Sequence, residues 1–310
     1  MSVLSEPLRV GTRGSRLAKA QTRLVMAQLQ QAHPGLVWEE VIITTEGDRF
    51  EGALHTAPTP GIFVSALRDA LLAGEVDCVV HSMKDLPAAD HAEITLGAVP
   101  RREDPVDVLV STDHQPLTNI PAGSRIGTSS PRRAASIRRA RPDLDIADIR
   151  GNITTRLEKV QRGDYQATVL AKAGLIRAGL TESISHELDI EHFLPAPRQG
   201  ILAIETRSDD VHTALVLRAL DDEPTRQIAA TEQGILLGLE AGCHSAVSAL
   251  AHIAEGTVYL RAELADPDTG EVERVEAHTG RDRPKVLRAW STELAASLKA
   301  TELARRVGLS

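Results

Sequence analysis

Val76-Asp-Cys-Val-Val-His-Ser-Met-Lys-Asp-Leu-Pro87 decides the reading of this chain. Val76 to Val80 is apolar and β-branched, the signature of a short buried strand. His81, Ser82, Lys84 and Asp85 then turn the chain polar at once, and Pro87 stops it. In an open α/β sheet, ligands bind just beyond the carboxyl ends of the strands, so Asp85 is expected at a binding rim. The plainer role, a carboxylate that caps a turn or pairs with Lys84, is equally open to an isolated aspartate.

The flanking pattern fits such a sheet. Leu8–Gly11 reads as a strand, Thr12-Arg13-Gly14-Ser15 as a tight turn, and a helix follows to about Ala32. Val37–Thr45 is a second strand, Glu46–Pro60 a mobile loop, and Gly61–Ala73 a helix with Phe63, Ala66, Leu67 and Ala70 on one face. This β-α-β-α-β order argues for a doubly wound sheet. Pro100–Pro105 looks like a crossing into a second unit of the same plan, with strands at Val106–Val110, Arg125–Gly127, Leu144–Ile149 and Ala167–Ala171. Leu194–Gly200 looks like the return crossing, and Ile201–Glu205 a strand that rejoins the first domain. The tail, opened by Pro224 at a helix start, reads as a small α+β domain with two or three strands and a long last helix from about Lys285. The expected partition is residues 1–100 with 200–220, residues 101–199, and residues 221–310.

Composition narrows the function. The 310 residues are 42% hydrophobic, 25% charged and only 2% aromatic, so the core is aliphatic. The net charge is −8, yet Arg125–Arg177 holds 12 Lys/Arg against 5 Asp/Glu, a balance of +7. A basic segment within an acidic chain suggests a locally held anionic ligand; a nucleic-acid binder is more often basic overall, and offers stacking aromatics where its target is single-stranded. No signal-like or membrane-length apolar run is present, and two cysteines make no disulfide framework, so a reducing cytoplasm is expected.

Two turns share one design of strand, glycine, hydroxyls and helix: Gly11-Thr12-Arg13-Gly14-Ser15 and Gly127-Thr128-Ser129-Ser130-Pro131-Arg132-Arg133. Free N–H groups at a helix start favour an anion, although a lone Ser130 is more simply an N-cap. Neither turn is a nucleotide-binding glycine motif. Arg150, Arg156 and Arg177 fall beside later strand ends, and guanidinium forks suit carboxylates. Arg138, Arg139 and Arg141 lie late in a helix and read as structural. Cys78 reads as a small buried hydrophobe, whereas Cys243, after Leu239-Glu-Ala-Gly242, reads as an exposed reactive thiol. Two cysteines in such different settings argue against a metal site.

Together these stretches resemble the porphobilinogen deaminase family, also called hydroxymethylbilane synthases, from Val10 to about Val247. The matching runs are T-R-G-S with Gln21, H-S-M-K-D-L-P, G-T-S-S-P-R-R, R-G-N-I-T-T-R-L, L-A-K-A-G-L-I-R and L-E-A-G-C. The resemblance implies two hinged domains like those of type II periplasmic binding proteins, plus a third carrying the cysteine loop. It implies a dipyrromethane cofactor on Cys243, with porphobilinogen as substrate and a monomeric enzyme. By the same resemblance Asp85 is catalytic, and Lys84, Ser130, Arg132, Arg133 and Arg150 hold the cofactor. Arg13, Ser15, Gln21, Phe63, Arg156, Arg177 and Gln199 line the substrate site. This chain departs from the family at Thr59-Pro60-Gly61, at Pro197-Arg198 where Val-Gly is usual, at Gln233 where arginine is common, and at Ala241. The competing class is a non-catalytic carboxylate-binding protein of the same two-lobed plan, which leaves Cys243 without a purpose.

Overall fold

The computed structural model describes residues 6–44, 64–242 and 245–309. The chain forms two compact units, Met1–Arg102 with Ile201–Arg226, and Glu103–Gly200 with Gln227–Ser310.

The first unit is built on β1 (Leu8–Arg13), α1 (Arg16–Ala32), β2 (Trp38–Ile43), α2 (Ser65–Leu72), β3 (Cys78–Ser82), β4 (Ile94–Ala98) and a returning strand, Leu202–Arg207. The strand order is β2-β1-β3-return-β4. β1 runs parallel to β2 and β3, and the returning strand is antiparallel to β3 and β4. α1 packs Val25, Met26 and Leu29 on one sheet face, against Leu8, Val10, Cys78 and Val80. α2 covers the other face with Leu67, Ala70 and Leu71, against Val76, Val79 and Ile94. The sheet is thus doubly wound, as the alternation predicted. Two details differ. The polar His81 and Ser82 belong to β3, because Ala203 and Leu202 supply their ladder partners. β4 has no counterpart in the sequence reading; it is a half-covered edge strand without a clean alternation.

The second unit repeats the plan with β5 (Asp107–Ser111), β6 (Arg125–Gly127), α3 (Pro131–Ala140), β7 (Asp145–Ala147), α4 (Ile153–Gln161), β8 (Ala167–Ala171), α5 (Lys172–Ala178) and β9 (His186–Glu187). Its order is β7-β6-β8-β5-β9, with β6 parallel to β7 and β8, and β5 antiparallel to β8 and β9. In chain order the returning strand is β10, followed by α6 (Val211–Leu217) and α7 (Glu223–Gly238). The tail adds an antiparallel sheet of β11 (Val247–Ala254), β12 (Thr257–Ala265) and β13 (Val272–Gly280), then α8 (Pro284–Lys299) and α9 (Glu302–Arg306). This sheet has its own core, in which Ile235 and Leu239 meet Ala249, Leu260, Leu264, Ala295 and Leu298. α7 and α8 pack closely because of Gly234, where a Cβ would lie 2.0 Å from Ser291 Oγ.

Candidate anion-binding rims and an exposed carboxylate

In the first unit, β1 delivers half-buried Arg13 to the head of α1. Ser15 caps that helix, its Oγ accepting from Ala18 N at 3.2 Å, so its oxygen is committed while its O–H remains a donor. Gln21 is buried, and its Nε2 donates to Ser82 Oγ at 2.9 Å, an internal strut between α1 and β3.

β3 ends in a single 3-10 turn, Met83–Asp85. Met83 is buried, its N–H donates to Ile201 O at 2.9 Å, and Leu86 N closes the turn onto Met83 O. Lys84 is half-buried and Asp85 exposed, and among the described residues the Asp85 carboxylate has no partner. A fixed backbone thus presents a free carboxylate directly beyond a strand end.

The second unit concentrates cations. Ser130 caps α3, accepting from Arg133 N, and Pro131 fills the first helical position. Arg132 and Arg133 in that first turn point inward. Arg133 donates Nη2 to Asp107 Oδ1 at 2.7 Å and Nη1 to Val169 O at 2.9 Å. Arg132 donates Nη2 to Asp107 Oδ2 and Nη1 to Leu194 O, both at 2.7 Å. Burial works against the Asp107 charge, but the two guanidiniums outweigh it and hold the carboxyl far below its usual range. Burial likewise lowers Arg132, with Asp107 opposing. One carboxylate against two guanidiniums leaves a net charge of +1. Gln199 is fully buried and donates Nε2 to Pro105 O and to Asp107 Oδ1, at 2.7 and 2.8 Å. It supports this network.

Arg150 follows β7, with Asp148 Oδ2 3.8 Å from its Nη2. Gly151 then adopts φ +105°, where a Cβ would collide with Thr155 Cβ at 2.6 Å, and Asn152 caps α4 by accepting from Thr155 N. Arg156, in the first turn of α4, donates Nε to Gly151 O at 2.9 Å. Burial, Arg133 and Arg150 together push Arg156 down to about 10. Arg177 donates Nη2 to Gly200 O at 2.6 Å, its Nε is buried without a partner, and burial lowers it to about 10. Arg138, Arg139 and Arg141 bond the carbonyls of Pro267, His192 and Leu117 and are structural, as expected.

Arg198 adopts a left-handed backbone at φ +64°. Its N–H donates to buried Glu232, whose other oxygen accepts from Ala251 N. Cys78 lies fully buried in β3, and burial pushes its thiol far above the usual range. Phe63 and Cys243 lie outside the described residues. Among the described residues no His/Cys/Asp/Glu cluster fit for a metal occurs, and no helix is long and apolar enough to cross a membrane.

Asp107 and Glu205 escaped the sequence reading. Asp107 interrupts the apolar strand Val106-Asp-Val-Leu-Val110, and Glu205 ends the apolar run Ile201-Leu-Ala-Ile204 inside a strand. A charge at such a position demands a buried partner, which was the available signal.

Two doubly wound sheets whose strand ends carry capped turns, crowded arginines and one free carboxylate define an α/β protein suited to ligands rich in carboxylates. The family profile described as "Porphobilinogen deaminase, dipyromethane cofactor binding domain" matches residues 8–214. The porphobilinogen deaminase of Roseiflexus sp. is 40% identical over 280 residues, 90% of this chain and 92% of that protein. That of Leifsonia xyli is 46% identical over 265 residues, 84% of this chain and 80% of that protein. Among solved structures, the methionine-binding protein MetQ aligns over 73% of this chain and 94% of that one, with a TM-score of 0.43 and 13% identity. The chain belongs to the porphobilinogen deaminase family.

Proposed function

We propose that the chain joins four porphobilinogen molecules head to tail on a dipyrromethane primer bound through Cys243, then releases the linear tetrapyrrole by hydrolysis. In each cycle the aminomethyl C–N bond of porphobilinogen breaks and ammonia leaves. A cation delocalised over the pyrrole ring remains. The α-carbon of a neighbouring pyrrole forms the new C–C bond, and loss of its α-proton restores aromaticity.

Asp85 carries this reading, because an unpartnered carboxylate on a fixed turn is what the developing cation requires. Asp85 also suits the pyrrole N–H groups as acceptor. When bound, the dipyrromethane supplies the α-carbon to which the first ring is joined. The donor set fits such a group: Arg150, Arg156 and Arg177, backed by the surplus charge around Arg133, suit its acetate and propionate groups. In the first unit Arg13, Lys84 and the Ser15 O–H add donors. With this reading go a monomer and a cytoplasmic place of action.

Turnover of porphobilinogen by the purified protein, beside Asp85→Ala still carrying its cofactor, tests the proposal. Loss of turnover in the variant supports the assignment; an unchanged rate overturns it.

A further inference from the structure

We infer that Glu205 is a positioning residue for Asp85, acting through His81 and the end of β3. This deepens the catalytic reading of Asp85 and rests on it.

Glu205 lies on β10, opposite Val79 of β3, and is only 3% exposed. Arg68 of α2 grips it with Nε at 3.0 Å and Nη2 at 2.6 Å. On the same side of the sheet His81 brings its Nε2 to 3.3 Å from Glu205 Oε2. Burial tends to raise the Glu205 carboxyl, but His81 and Arg68 prevail and bring it down to about 2, so the group is an anion. His81 is itself buried and stands four residues before Asp85.

At the base of the turn Gln21 holds Ser82 and the Ile201 carbonyl holds the Met83 N–H, while the Glu205 carboxylate faces buried His81 Nε2 at 3.3 Å outside hydrogen-bond geometry. A buried ion pair is a poor source of stability, since an apolar replacement of similar volume often does as well. Orientation is what such a network supplies, and a carboxylate that stabilises a transient cation depends on orientation to a fraction of an ångström. Substrate carboxylates are bound elsewhere, so the network should govern the rate of the bond-making cycle and leave ground-state binding alone.

The test is a double-mutant cycle on cofactor-loaded protein, with loading checked by intact mass. Glu205→Gln should lower kcat for porphobilinogen by about 10- to 100-fold with KM little changed. In an Asp85→Asn background the same substitution should cost nothing further, because no carboxylate remains to be oriented. Arg68→Met/Glu205→Gln removes both charges and leaves no orphan cation, so it decides the matter if Glu205→Gln fails to fold. It should keep close to wild-type thermal stability and lose kcat to the same extent. Wild-type kcat in that double variant, or independent losses from Glu205 and Asp85, would make the network a structural ion pair and overturn the inference. Wild-type kcat in Asp85→Asn would instead overturn the catalytic reading itself.

Discussion

Arg133 and Asp107 meet as a two-pronged pair, Nη2 to Oδ1 at 2.7 Å and Nε to Oδ2 at 3.2 Å, in the interior of the second unit. Arg132 closes on the same carboxylate, so one anion organises two cations at the head of α3. Removing it leaves both guanidiniums buried and uncompensated. Asp107→Ala should therefore cost about 3–5 kcal/mol in denaturant unfolding. A loss below about 1 kcal/mol would mean that the arginines find solvent or another anion.

Arg156 makes the opposite case. Burial and the neighbouring Arg133 and Arg150 lower it to about 10, so its charge is a burden on the folded protein until an anion arrives. Arg156→Met should leave thermal stability unchanged or slightly raised while KM for porphobilinogen rises roughly ten-fold. A fall in stability with unchanged KM would place Arg156 among the structural residues.

Glu205 makes stability depend on pH in a definite direction. Its folded-state carboxyl lies at about 2, below the ordinary 4.5. Its contribution is therefore complete above 4.5 and lost as pH falls from there towards 2. The shift is worth about 3 kcal/mol. The stability difference between wild type and Glu205→Gln should shrink by about that amount on acidification; a difference that is flat with pH would contradict the assignment.

The two cysteines should separate by reactivity. Cys78 is sealed in the core of the first unit and its thiol is held protonated. Native protein carrying its cofactor should show no thiol that reacts promptly with Ellman's reagent, and cofactor-free protein should show one. Labelling of native Cys78 would contradict the packing of β3.

Sheet topology was legible because the Val76 strand and the β-α-β-α-β alternation express backbone periodicity. Site residues were less so, because a side chain's direction depends on distant partners. Gln21 meets Ser82, 61 positions away in sequence. Nothing local to Arg132 and Arg133 announces that Asp107 lies beneath them. β4 was missed because a half-covered edge strand needs no regular alternation. Asp85 was legible because its only requirement is a turn that follows a buried strand.

The central claim is that this chain builds tetrapyrrole on a primer bound through Cys243, and intact mass measures it most directly. Purified wild type, or wild type incubated with porphobilinogen, should exceed its sequence mass by one dipyrromethane, and Cys243→Ser should remain at its sequence mass under both conditions. Wild type that stays at its bare sequence mass after incubation with porphobilinogen, or Cys243→Ser that gains the same adduct, would contradict it.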